Sequence, residues 1–353
     1  MNSENTQGTY HIGRASLAIL TCFTTLILIF AGGVVTSKNV GLSVPDWPTS
    51  YGYHMWGMPF SMWKGGVLYE HLHRVIASAA GCLILILTTW LIFSEPRRWV
   101  RSTAIACFGT VVIQGILGGM TVLLALPTCV SVLHAILAQV FLCLTVALAF
   151  SLSREGCRTA DPALRTPPTR SFKRAAIVTI CLVFTQLALA AYMRHDMKQQ
   201  GGVAIPDFPR VAGRLVPRLN AEGVAWVNAW RSEAVWEHGA KFELSQPVQA
   251  YQMHTHFTHR CMALLILVSL FWMTKAAIQH YPRKHGVILT LRGVGALLVV
   301  EIVLGMFSVW SNKGELITSL HVVTGAALLA SLVLVAMRAF SPSALPSAGA
   351  AAP

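Results

Sequence analysis

Eight runs of about 20 apolar residues leave this 353-residue chain few folds to choose from. They lie near 15–37, 68–93, 102–124, 131–152, 175–193, 254–278, 292–311 and 317–339. Each is long enough to cross the ~30 Å hydrocarbon layer of a bilayer as a helix. Inside that layer only helices and closed barrels satisfy every backbone N–H and C=O, and continuous rather than alternating apolar runs select helices. The expected fold is all-α, a polytopic membrane protein of eight transmembrane helices. Composition agrees, with 54% hydrophobic and 12% charged residues, against roughly 25% charged in soluble domains. The polar opening MNSENTQGTYHIGRAS runs into the first span without a small-residue cleavage signature, so that span is expected to be retained.

Lys and Arg indicate orientation, because cytoplasmic loops carry the excess. Arg14, then Arg97, Arg98 and Arg101, then the stretch from Arg154 to Arg174, then Lys275, Arg283, Lys284 and Arg292, and finally Arg338 all fall on one side. The short loops on the other side hold only Lys38, Lys64 and Lys313. Both termini are therefore expected in the cytoplasm, with the chain in a cell (inner or plasma) membrane. The 194–253 loop is basic too, but long translocated loops weigh little in this rule. The net charge of +13 is thus mostly topological. No basic-aromatic patch stands apart from the span ends, which argues against a nucleic-acid partner. Six of the eight cysteines fall within spans, Cys157 is cytoplasmic and Cys129 alone lies near the outer surface, so neither a disulfide nor a CxxC zinc site is expected.

The chain is written twice. Residues 41–48 read GLSVPDWP and residues 202–209 read GVAIPDFP. Glu70-His-Leu-His73-Arg74 answers to His256-Phe-Thr-His259-Arg260. Gln114 with Leu117-Gly118 answers to Glu301 with Leu304-Gly305, and Ser131-Val-Leu-His134 to Ser319-Leu-His321. Each half starts on the inside, so the halves are expected as two four-helix bundles related by a pseudo-twofold axis along the membrane normal. The boundaries are 1–152 for the first bundle, 153–174 for a polar, Pro-rich cytoplasmic linker, 175–340 for the second bundle and 341–353 for a disordered cytoplasmic tail. From Pro48 to His73 is 25 residues and from Pro209 to His259 is 50. The extra length is assigned to an outer-loop insertion at 210–250, whose segment WVNAWRSEAVWEHGAKF could form an outer-surface helix covering the second site or meeting a partner.

His73, His134, His259 and His321 each sit a few residues inside an even-numbered span, at one shallow depth near the outer face. Ionisable groups inside spans are costly and face a bundle interior for a purpose. Two imidazoles from two facing helices suit zinc, copper or iron. Zinc would want further ligands that are missing at these positions. Heme iron takes two axial histidines, with the macrocycle filling a four-helix bundle. One heme per half, on His73/His134 and on His259/His321, is the economical reading. Arg74 and Arg260 could pair with heme propionates or snorkel to the interface. Trp47, Asp46 and His256 are further pocket candidates. Pro45 and Pro48 stiffen the outer turn, Asp46 can cap it, and Trp47 could roof the first pocket or simply anchor at the interface.

Three residues before the histidine stands Glu70 in one half and His256 in the other, on the histidine's own helix face. A carboxylate there could stabilise positive charge developing on a substrate, or pair with Arg74 one turn on. Chemistry is therefore assigned to the first site, and electron transfer or structure to the second. Gln114 and Glu301 are open between a proton or water relay and hydrogen-bonded packing.

GLSVPDWPTSYG, YEHLHRVIAS, LGGMTV, the span-four histidine and a diverged second copy resemble the heme A synthase family over residues 15–340. The resemblance implies a substrate, the farnesylated heme O, whose C8 methyl is oxidised to a formyl group by two successive hydroxylations, giving heme A for terminal oxidases. It implies that the first histidine pair holds substrate or product heme, that the second holds a permanent heme b, and that Glu70 is the catalytic glutamate. Heme O synthase is the implied partner. The electron-transfer partner and the oligomeric state, a homo-oligomer included, stay open. Many members carry Cys pairs in the loops after spans one and five; here Thr49-Ser50 follows the first octapeptide and neither loop contains Cys. The main rival is a non-catalytic di-heme membrane cytochrome exchanging electrons with quinone. A repeat-built transporter is a third reading, disfavoured because transporter sites lie near the midplane.

Overall fold

In lipid a backbone must bond to itself, and each apolar run does so as a helix. A computed structural model describes residues 9–158, 167–196, 203–233 and 247–340. Its elements are α1 (Ile12–Ser37), α2 (Gly66–Ser94), α3 (Arg98–Leu123), α4 (Thr128–Leu152), the short α5 (Arg154–Arg158), α6 (Arg170–Asp196), α7 (Ala221–Glu233), α8 (Ala250–Ile278), α9 (Gly286–Trp310) and α10 (Glu315–Phe340). Among the described residues there is no β-strand, only two isolated bridges. The eight long helices have 25–29 residues each and are long and apolar enough to span a bilayer. At 1.5 Å per residue they run about 37–44 Å, so their polar ends, such as Arg98 and Gln252, extend past the apolar layer. This is a multi-pass membrane protein.

Two boundaries move. The helix α6 begins at Arg170, inside the linker expected at 153–174, because Thr169 Oγ1 accepts the N–H of Phe172 at 3.2 Å and caps a helix that starts before its apolar stretch. The insertion expected at 210–250 begins after Arg214, because 210–214 belong to the repeated loop described below. It contains α7; its residues 234–246, the linker residues 159–166 and the tail 341–353 lie outside the described residues.

Contacts run around α1, α2, α3 and α4 as a ring, and around α6, α8, α9 and α10 as a second ring. The rings meet through α1 with α10, α4 with α10 and α4 with α6. This pattern fits the two-bundle arrangement, with α1, α4, α6 and α10 as the shared inner wall. Packed apolar cores occupy the basic end of each ring, Ile84, Leu87, Val100 and Phe141 in one and Phe172, Met273, Leu298 and Leu329 in the other. Arginines fasten that end. Arg14 and Arg97 are buried on Glu95, with N–O distances of 3.5 and 2.6 Å, and Arg338 holds Glu155 of α5 at 2.6 Å. At the opposite end α3 of the first ring is open, with only Gly119 buried between Phe108 and Leu124, whereas the second ring has a further packed cluster of Ile205, Val211, Val227 and Met253.

Candidate functional site

The repeated octapeptide is the visible part of a longer repeated loop, which lies over the end of each ring opposite the arginine-fastened one. Asp46 accepts the N–H of Tyr51 (2.7 Å), the N–H of Gly52 (2.9 Å) and the Thr49 hydroxyl (2.6 Å). Asp207, 161 positions on, accepts the N–H of Ala212 (2.6 Å) and of Gly213 (2.9 Å). The bridges Ser50–Tyr53 and Val211–Arg214 keep the same offset. Tyr51 and Gly52 have φ of 51° and 79°, and Ala212 and Gly213 have 48° and 79°. Two successive positive φ values make the tight hairpin turn that favours glycine, and both copies place glycine second. Trp47–Pro48 and Phe208–Pro209 are both cis.

Partial burial opposes ionisation of Asp46, but the bonds from Gly52, Thr49 and Tyr51 outweigh it and bring its pKa from 3.8 to about 2. A depressed carboxylate pKa stabilises the folded loop above the unfolded value and loses that contribution as pH falls through the folded one. The turn is therefore expected to hold unchanged down to about pH 4 and to loosen between pH 4 and 2, read as faster amide exchange at Tyr51 and Gly52. Equal protection at pH 2 and pH 6, after correction for intrinsic rates, would contradict this.

Each loop is tied down by the helix that carries the histidine. Arg74 donates to the carbonyls of Asp46 (2.6 Å), Val44 (2.8 Å) and Thr49 (3.0 Å), and pairs with Glu70 Oε1 at 2.7 Å. Arg260 donates to the carbonyls of Asp207 (2.7 Å), Arg210 (2.8 Å) and Ile205 (3.1 Å), with its guanidinium 5.5 Å from the Phe208 ring centre. Both arginines hold the roof. The Val44 N–H donates to Glu70 Oε2 at 2.9 Å, and the Ile205 N–H, at the equivalent place, donates to His256 Nδ1 at 3.0 Å. Glu70 and His256 are both buried. The pair that looked most unlike in sequence therefore makes the same anchor. His71, next to Glu70, meets the Ser50 hydroxyl at 3.0 Å and packs edge-on against Trp63.

Beneath the roofs, His73 and His134 stand on α2 and α4 of the first ring, and His259 and His321 on α8 and α10 of the second. His73 and His134 lie within electrostatic reach of one another, as do His259 and His321. Glycines of the neighbouring helices make way for three of the rings. A methyl group on Gly32 would stand 3.0 Å from His73, one on Gly118 3.2 Å from His134, and one on Gly305 3.2 Å from His321. Gly119 makes way for the roof, since a methyl group there would overlap the Trp47 indole. At the matching places the second half has Met306 and Phe208, a larger residue on the helix and a smaller one in the loop. Nδ1 of His73, His134 and His259 is buried without a hydrogen-bond partner, and so are the hydroxyls of Ser131 and Thr318, each three residues before its histidine. Thr318, not Ser319, is thus the counterpart of Ser131. Ser319 points to α1 instead, its hydroxyl 3.2 Å from that of Ser37.

Gln114 donates to the His134 carbonyl at 2.9 Å, while Glu301 Oε1 lies 3.1 Å from His321 Nδ1, in ion-pair reach but off the line of a hydrogen bond. Gln186, which had not been singled out, donates to the His259 carbonyl at 2.9 Å. Among the described residues no three His, Cys, Asp or Glu side chains converge on a point that could hold a metal ion. Each half offers two imidazoles with buried, unpartnered polar atoms beside them, and this donor set fits a heme that two histidines would hold. The α7 helix buttresses the second roof, with Trp226 Nε1 donating to the Ala212 carbonyl at 2.9 Å. The halves are sewn together by Arg194 of α6, which donates to the Gly33 carbonyl and the Ser37 hydroxyl of α1, and by a Lys38–Glu315 ion pair.

Comparison with known proteins points the same way. The chain is 30% identical over 201 residues to a heme A synthase of Symbiobacterium thermophilum, a match covering 55% of this chain and 62% of that protein. It is 21% identical over 304 residues to one of Bacillus pumilus (84% of this chain, 85% of the relative). With one of Sphingopyxis alaskensis it shares 22% over 336 residues, 86% of each. The family model described as COX15-CtaA, cytochrome oxidase assembly protein, matches residues 15–333. With eight spans, two roofed histidine pairs and a match over most of its length, the chain belongs to the COX15-CtaA family of cytochrome oxidase assembly proteins.

Proposed function

We propose that this protein is a heme A synthase, an oxidoreductase that converts the C8 methyl of heme O to a formyl group through two successive hydroxylations. The α1–α4 half takes the substrate, with His73 and His134 on its iron. The α6–α10 half holds heme b between His259 and His321 and, when loaded, this heme supplies electron transfer. Both termini face the cytoplasm of a cell whose inner or plasma membrane carries the protein, and heme O synthase delivers the substrate. Support comes above all from the pairing of the four histidines, three of them beside a glycine that leaves room for the ring.

The residues of the first half have divided tasks in this reading. Gly32 and Gly118 admit the imidazoles, and Trp47, seated on Gly119, closes the outer end against water. Arg74 and the Val44 N–H fix the carboxylate of Glu70 one helical turn before His73, where it stabilises positive charge developing at the oxidised methyl. Expression with a heme O synthase, followed by heme extraction and mass spectrometry, is expected to yield heme A or the hydroxymethyl intermediate. Heme B and heme O alone would sink the proposal.

The shared anchoring of Glu70 and His256 favours a second reading, the di-heme cytochrome exchanging electrons with quinone, because it gives Glu70 a structural task that needs no chemistry. The same extraction decides, since a cytochrome leaves the heme side chains unchanged.

A further inference from the structure

Gln114 and Glu301 each stand 20 residues before a paired histidine, His134 and His321, yet they do different things. Gln114 gives its amide to the His134 main chain. Glu301 instead faces the His321 ring, with Oε1 at 3.1 Å from Nδ1, while Oε2 is buried without a hydrogen-bond partner. The space for that carboxylate is built in: a methyl group on Gly325, one turn after His321, would stand 2.7 Å from Glu301 Oε1. The first half has Ala138 at the matching place. A carboxylate inside a span is expensive, and here it is aimed at an imidazole and given room to be there. Arg194 is a further charge that acts on His321 among the described residues, and it is tied to Gly33 and Ser37 of α1.

We propose that Glu301 is the positioning residue of His321: its carboxylate holds the Nδ1 edge of the imidazole and so would leave Nε2 for a heme iron. A carboxylate acceptor fixes the ligating tautomer and makes the imidazole a stronger donor. A stronger axial donor favours the ferric state, so the second-half heme has a lower midpoint potential than the Glu301-free ligand set would give. The first half lacks this device. The inference rests on the bis-histidine reading proposed above and goes beyond it in making the two hemes electronically unequal.

The test uses the full chain purified with its hemes, potentiometric titration read optically, and the EPR spectrum of the ferric form. The second-half heme is identified as the signal lost in His321→Ala. Glu301→Leu is expected to raise its midpoint and widen its g-value spread, and Glu301→Gln to do so less, while the first-half heme stays put. Gly325→Ala, which keeps the carboxylate but displaces it, should shift both readouts the same way and decides the matter if Glu301→Leu does not fold. A His321-dependent heme whose midpoint and g-values ignore all three substitutions overturns the role of Glu301 and leaves the bis-histidine reading standing. A wild-type protein with no His321-dependent heme overturns both.

Discussion

Arg74→Ala is expected to destabilise the outer end of the first half by about 3–5 kcal/mol, the cost of leaving a buried charge without its partner. The size follows from burial. An exposed ion pair contributes about 0–1 kcal/mol, but Arg74 and Glu70 have side-chain exposures of 9% and 4%. Removal of the guanidinium also strips hydrogen bonds from the carbonyls of Val44, Asp46 and Thr49. The expected readout is fast amide exchange across residues 43–53, with a lowered unfolding temperature in detergent. Adding Glu70→Gln should recover much of the loss, because it removes the orphaned charge. Arg260→Ala should cost less, since its neighbour is the imidazole His256 and no carboxylate is left behind. Equal effects at Arg74 and Arg260 would mean that the ion pair contributes nothing beyond the loop carbonyls.

Glu70→His is expected to separate anchoring from chemistry. In the second half a histidine already does the anchoring, accepting the Ile205 N–H at 3.0 Å where Glu70 accepts the Val44 N–H at 2.9 Å. The variant should therefore keep its roof docked and its first-half heme bound. Its heme A output should fall by about 10²–10³-fold, the usual loss when a preorganised electrostatic stabiliser is removed, with heme O or the hydroxymethyl intermediate accumulating. Glu70→Ala should lose output and loop protection together. If Glu70→His forms heme A at the wild-type rate, the carboxylate is an anchor and nothing more.

The spans and the doubled loop were legible in the sequence because lipid permits so few backbones and an octapeptide written twice folds the same way twice. What was hidden involves atoms that have no letter of their own. The N–H groups of Val44 and Ile205 make Glu70 and His256 equivalent, and main-chain carbonyls occupy Arg74 and Arg260; a side-chain alphabet shows neither. Gly119 reads as one more small residue until Trp47 is found lying on it. In α10 the letters Ser319-Leu-His321 look like a shortened Ser131-Val-Leu-His134, while Thr318 is the residue that stands three before its histidine with an unpartnered hydroxyl, as Ser131 does.

The seam between the halves has its own arithmetic. Arg194 bonds to the carbonyl of Gly33, and 194 less 33 is the same 161 that separates the two loops. Under the expected pseudo-twofold relation, a contact between a residue and its own counterpart falls close to the axis, as in an isologous dimer. Two identical copies of one half would have to place the same residue on both sides of that axis. Glycine on both sides would meet without a clash, whereas arginine on both sides would set two guanidiniums against each other in a medium that screens them poorly. The bond therefore requires unlike halves. It joins the halves of one chain in a way that two identical halves could not copy.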